Sequence, residues 1–339
     1  KRPYRTFNLT VERLTHLVRQ AYRDIQENIT AQHPRVYRQV HAGAEVATIA
    51  VESHSSRFKA EYSQLGSISV IRQVLIYPPL ILDPPVNKRK GEFIEVTENP
   101  IKSVQFNTQE WLCYPAKVGS LIVYVYFHES FYELGFALCN LFELASDRDL
   151  RRKPDGIFLY GVPEENLRHL ADFPTVFYED KTNDLFVGAV PRGNEFGYFG
   201  YLKKMILTLH NLRVMQKGHL PFHGAFVQIL LKNGTQANVL MVGDTGAGKS
   251  ETLEALRCLG DEYIKDLTII ADDMGSLVIQ DQVVKAYGTE IGAFLRLDDL
   301  QPGYAFGQLD RAIIMNASKT NARIVLPITS FENITKGVA

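Results

Sequence analysis

The chain has 339 residues, 45% of them hydrophobic, with 37 Lys and Arg against 38 Asp and Glu for a formal net charge of −1. That is enough apolar material for one large or two ordinary cores, and so even a charge balance gives no footing for a nucleic-acid partner or an anionic membrane surface. Cys113, Cys139 and Cys258 have no metal-ligand spacing and leave one over in any disulfide scheme, which points to core filler in a reducing, cytoplasmic setting.

No apolar run approaches the roughly 18 residues of a membrane span, and the basic start Lys1-Arg2-Pro3 leads into no signal-peptide core. Because the first residue is Lys1 and not Met, a preceding piece of chain is expected. Residues 10–26 place Val11, Leu14, Leu17, Val18, Ala21, Tyr22 and Ile25 at helical spacing, predicting one packed surface helix. From about residue 45 the β-branched runs 46–51, 68–76 and 93–96 predict strands, separated by Pro78-Pro79, Pro84-Pro85 and the turn Lys88-Arg89-Lys90-Gly91. Residues 121–126 read as a buried strand and 130–144 as the helix after it; 157–160, 175–178 and 185–190 read as further strands. A second helix over 201–216 carries Leu202, Met205, Ile206, Leu209, Leu212 and Met215, with Gly218 as its stop. Strands 222–231 and 236–242 then flank the hairpin signal Asn233-Gly234.

The second arm of that hairpin runs into Gly243, Asp244, Thr245, Gly246, Ala247, Gly248, Lys249, Ser250 and Glu251, followed by an amphipathic run with Leu253, Leu256 and Leu259. Strand, glycine loop and helix form the context that a phosphate-binding loop requires. Glycines let backbone N–H groups close around phosphate oxygens, and the helix N-terminus adds positive potential. Lys249 neutralises the β and γ oxygens, and Ser250 offers a hydroxyl to Mg²⁺. Residues 267–271 predict a short apolar strand ending at Asp272-Asp273, where nucleoside-triphosphate enzymes place the carboxylate that holds Mg²⁺. Met274-Gly275-Ser276 and Gln280-Asp281 are expected to punctuate a hairpin, and 323–327 to form one more strand. The expected fold is α/β, a mixed sheet with helices packed against it and ligands at the carboxyl ends of strands. It divides into a lobe of unassigned role over 1–190 and a phosphate-loop domain over 191–339.

These motifs resemble the superfamily that contains ATP-dependent phosphoenolpyruvate carboxykinase and the bacterial HPr kinase/phosphorylase. The loop GDTGAGKSETLEAL with His223-Gly224 before it is most similar to HPr kinase. YFGYLKK at 198–204, PFHG at 221–224, ADDMG at 271–275 and TNARIVLPITSFENI at 320–334 are similar to the carboxykinases. The resemblance covers about residues 197–339 and implies a carboxykinase-like phosphate-loop fold with two metals. Lys204, His223 and Asp273 would ligate Mn²⁺, while Ser250 and Asp272 would serve the Mg²⁺ that travels with ATP. Tyr198 would line the substrate site, and Arg323 would bridge substrate and transferring phosphoryl group. Lys249, Arg323, Asp272 and His223 would carry the transfer.

The implied activity is ATP-dependent phosphoryl transfer, with oxaloacetate converted to phosphoenolpyruvate as the first expectation. The alternatives are an HPr kinase-like transfer to a hydroxyl of a protein or small molecule, and a nucleotide-binding regulatory protein without turnover. The chain also departs from the pattern. The carboxykinases carry a lysine in the segment matching Tyr287 to Ala293, and here there is none. Their N-terminal arginine motif has only Ser55-Ser56-Arg57-Phe58-Lys59 as a candidate, the spacer from Lys249 to Asp273 is longer, and the adenine-binding segment is expected after residue 339.

Overall fold

The computed structural model describes residues 37–39, 46–52, 60–76, 80–243, 248–258, 262–297 and 312–327, with scattered positions between 13 and 29. Those scattered positions are helical, as the spacing over 10–26 predicts, but the packing is not: Leu14, Leu17 and Ile25 stay exposed. The chain is mixed α/β, with sheets of mixed orientation. Among the described residues no helix is long and apolar enough to cross a membrane.

The first half contributes β1 (Tyr37–Gln39), β2 (Val46–Glu52), β3 (Ser69–Ile76), β4 (Leu80–Leu82), β5 (Ile94–Glu95), β6 (Trp111–Val118), β7 (Leu121–His128), β8 (Glu143–Leu144), β9 (Gly156–Pro163), β10 (Val176–Asp180) and β11 (Leu185–Arg192). All but β4 join one ten-stranded sheet in the order β1-β2-β3-β6-β7-β9-β11-β10-β5, with β8 against β6. Its centre is β7, LIVYVYFH, buried at every position, the composition of a strand covered on both faces. Alternation then sorts its side chains. Val123, Val125 and Phe127 enter one apolar cluster, and Ile122, Tyr124 and Tyr126 enter the other. The first face is covered by helix α1 (Phe199–Gln216) through Phe199, Leu202, Met205, Ile206 and Leu209. That cluster also takes in Leu80, Ile313, Met315 and Val325, so one core joins residues on both sides of position 190.

One reading of the first half is corrected, and one strand had no counterpart in the sequence pattern. The spacing over 130–144 predicts a helix, but only Tyr132–Phe136 is α-helical, and Ala137–Asn140 tightens to a 3₁₀ turn before β8. Tertiary contacts win there: the backbone at Gly135 lies so close to the Phe127 ring that a Cβ would meet it at 2.4 Å, and Asn140 donates to the Val325 carbonyl. Strand β6 was hidden by Pro115, which cannot donate to a ladder. It falls between the two short partners on one edge, β3 at Leu112-Cys113 and β8 at Ala116-Lys117.

The second half adds β12 (Leu220–Leu231), β13 (Gln236–Val242), helix α2 (Lys249–Cys258), β14 (Ile264–Ala271), β15 (Met274–Gln280), β16 (Val283–Gly288), β17 (Gly292–Arg296), β18 (Ile313–Met315) and β19 (Arg323–Pro327). Strands β13-β12-β15-β16, with β14 also on β12, form a five-stranded sheet, and β17-β19-β18-β4 a four-stranded one. The turn expected at Met274-Gly275-Ser276 is instead strand, because Met274 to Leu277 pair with His223 to Leu220. The hairpin reverses at Asp281-Gln282, both with positive φ.

Candidate functional site

The pairing of β12 builds the site. Both β13 and β14 are antiparallel to β12 and flank it, so they run the same way and finish at the same end of the sheet. Val242 lies opposite Gly224 and Ala271 opposite Phe226, which brings Gly243, His223 and Asp272-Asp273 together from three separate stretches of sequence. The Gly243 N–H faces the His223 carbonyl at 3.4 Å, and the Gly224 N–H donates to the Asp273 carbonyl at 2.9 Å. Only glycine fits at 224, since a Cβ there would meet the Met241 carbonyl oxygen at 2.3 Å. The acidic pair interrupts the ladder between β14 and β15, which leaves its carboxylates at the sheet's end.

Lys249 opens α2, and its ammonium reaches back to donate to the Gly243 carbonyl at 2.8 Å. Gly243 and Gly248, the latter with φ +81°, therefore bracket the loop between strand and helix. Asp244, Thr245, Gly246 and Ala247 lie outside the described residues, as does the Ser55 to Lys59 candidate, and the side chains of Ser250 and Glu251 are likewise not described.

Asp273 is the hub. His223 Nε2 lies 2.9 Å from its Oδ1, while the ammonium groups of Lys203 and Lys204 lie 2.8 and 3.5 Å from its Oδ2. Lys203 also reaches Glu290 Oε1 at 2.9 Å. Burial alone would raise the Asp273 carboxyl, but Lys203, Lys204 and His223 outweigh it and hold it well below the usual carboxylate range. Its neighbour behaves oppositely. Burial raises Asp272 to about 6, with the Asp273 charge adding to the rise and Lys203 and Lys249 opposing it. Asp272 Oδ1 is shut off from solvent with no hydrogen-bond partner among the described residues. Two adjacent carboxylates thus sit in opposed protonation regimes, a pattern that recurs at acid–base sites.

Behind the hub, Tyr198 is buried beside Arg323. Burial raises its hydroxyl, and Arg323 and Lys203 offset part of that rise. The Arg323 guanidinium lies 5.5 Å from the Phe294 ring centre and Lys203 Nζ 5.8 Å from it. Arg323 Nε is buried without a hydrogen-bond partner among the described residues. Strand β19 sets this position, pairing with β17 so that Val325 faces Phe294 and Arg323 faces Arg296.

The structure therefore brings Lys204, His223, Asp272, Asp273, Lys249, Tyr198 and Arg323 into one region. Two further members, Lys203 and Glu290, escape motif reading. The signal for Lys203 lay in helical period: it stands four residues after Phe199 and three and four before Ile206 and Leu207, all buried, so its side chain enters the core. Glu290 had no comparable signal.

Among the described residues no group of three His, Cys, Asp or Glu side chains is placed to hold a metal. The donor chemistry nonetheless fits divalent cations: an imidazole, a fully ionised carboxylate and an amine suit a borderline ion, and the partnerless Asp272 Oδ1 supplies a separate hard oxygen. Lys204 could ligate only after losing its proton, whereas burial, which would lower Lys203, is outweighed by Glu290 and Asp273, and they keep that ammonium charged. No family model matches the chain, and no curated protein matches it.

Proposed function

We propose that the chain is an ATP-dependent phosphotransferase with a carboxykinase-like phosphate-loop fold, and that it converts oxaloacetate and ATP to phosphoenolpyruvate, CO₂ and ADP. The supporting observation is the convergence of Gly243, Lys249, His223 and the Asp272-Asp273 pair at one sheet end, through the β12–β13 hairpin and the longer-range pairing of β12 with β14 and β15. In this reading the segment from Gly243 to Glu251 wraps the triphosphate with main-chain N–H groups. Lys249 exchanges the Gly243 carbonyl for phosphate oxygens. Ser250 and Asp272 hold Mg²⁺, and Lys204, His223 and Asp273 hold Mn²⁺. When bound, the cations supply charge neutralisation to the triphosphate and the acceptor. Arg323 and Tyr198 orient the acceptor, with the Arg323 fork suited to a carboxylate or phosphoryl group. What remains for the protein is alignment and electrostatics.

A second reading, transfer to a hydroxyl, is favoured by Asp272. A carboxyl raised to about 6, with one oxygen unpartnered, is suited to accept the hydroxyl proton near neutral pH. The two readings separate in one experiment. Incubation with oxaloacetate, ATP and Mn²⁺ is expected to yield phosphoenolpyruvate, and Lys249→Ala to lose at least ~100-fold of that rate. Wild-type yield no greater than the variant's would remove the carboxykinase reading. Lys249-dependent transfer of labelled phosphate to a hydroxyl acceptor would then establish the second, and tight nucleotide binding without transfer would leave a regulatory protein.

A further inference from the structure

Lys203 poses a problem for the proposed metal site. Its buried ammonium lies 2.8 Å from Asp273 Oδ2, closer than Lys204, and so competes for a carboxylate that a cation would need. Glu290 is the only other carboxylate shown to reach Lys203 among the described residues, at 2.9 Å, and its side chain is just 5% exposed. Its place is built from both sides: Thr289 Oγ1 donates to the Met274 carbonyl at 2.9 Å, and the Ile291 N–H donates to the Leu141 carbonyl at 2.8 Å. Gly292 is wedged against Asn140, whose carbonyl oxygen would lie 1.9 Å from any added Cβ. A buried ion pair of this kind seldom stabilises more than apolar residues of the same volume, which directs attention to what the pair does for Asp273.

We propose that Glu290 is a positioning residue that holds and neutralises Lys203, leaving the Asp273 carboxylate a net charge with which to bind a divalent cation. The inference rests on the proposed metal site and explains an acidic residue in the segment where the resemblance predicts a lysine. With Glu290 present, Lys203 and Glu290 cancel and Asp273 keeps its charge. Without it, Lys203 is compensated by Asp273 alone, and the cation meets a neutralised ligand.

The test is Mn²⁺ binding to the full chain at pH 8, read from the electron paramagnetic resonance of free Mn²⁺, with no turnover required. Glu290→Gln is expected to weaken binding about 10-fold or more, within the range seen when groups behind a metal ligand are removed. The double variant Lys203→Met/Glu290→Gln is expected to bind within a few-fold of wild type, since competitor and restraint leave together. A purely structural role would lower the melting temperature of both variants without restoring affinity in the double one. Wild type that binds Mn²⁺ while Glu290→Gln binds equally well, or a double variant no better than the single, would overturn the role of Glu290 and leave the metal site standing. Wild type that binds no Mn²⁺ would remove the metal site itself.

Discussion

Asp272 is expected to cost the fold stability, and its removal should show this. Its folded value is about 6 against an ordinary 3.8, so the fold binds the proton more tightly than the unfolded chain does. The charged form therefore destabilises the protein above about pH 6, and that cost fades as the pH falls toward 3.8. The interval corresponds to a ceiling of ~3 kcal/mol. Because Asp272 as a whole keeps partial exposure, solvent screening brings the expected cost to about 1–2 kcal/mol. Asp272→Asn keeps the shape and removes the charge. In EDTA at pH 8 it should melt about 1–3 °C higher than wild type, with the gain falling to roughly half by pH 5. Differential scanning calorimetry across that range reads the result directly. A variant that melts lower than wild type at pH 8, or a gain that does not change with pH, would refute the burial of an uncompensated charge. The same substitution should abolish phosphoryl transfer, the trade expected where a site keeps a group the fold would rather lose.

Other outcomes follow from the same geometry. Gly224→Ala forces a Cβ against the Met241 carbonyl and should cost about 1–3 kcal/mol in urea unfolding, with loss of Mg·ATP binding because Gly243 and His223 no longer meet. Tyr62→Phe removes a buried hydroxyl that donates to Asp180 at 2.6 Å and accepts from Asn99. It should cost about 1–3 kcal/mol while leaving phosphoryl transfer unchanged, since Tyr62 belongs to the apolar cluster on the opposite face of the large sheet from α1. Unchanged stability in either variant would count against the packing described.

Much of the second half was legible because its signals are local. Asn233-Gly234 marks a reversal, an apolar run ending in Asp272-Asp273 marks a strand end, and the period of α1 marks a helix. The convergence of these pieces was not legible, since it depends on β12 being shared between β13 and β14, a pairing across tens of residues. In the first half, strand positions such as β7 and β11 follow from apolar runs, but the order of the ten-stranded sheet does not. Pro115 hid a strand whose irregular edge tolerates it, and the apolar spacing over 130–144 concealed a turn imposed by Phe127 and Val325. Lys203 and Glu290 escaped for a physical reason as well: each is a charged residue whose burial is compensated by partners remote in sequence, Lys203 by Glu290 and Asp273 and Glu290 by Lys203.

The central claim is that His223 and Asp273 hold a cation beside the phosphate loop. At present His223 Nε2 and Asp273 Oδ1 are bonded to each other at 2.9 Å. Anomalous diffraction from a crystal grown with Mn²⁺ and an ATP analogue tests the claim most directly. The account predicts a manganese peak at about 2.0–2.3 Å from both His223 Nε2 and an Asp273 oxygen, with their mutual hydrogen bond broken. A peak elsewhere, with that hydrogen bond intact and the nucleotide away from Lys249, would contradict it.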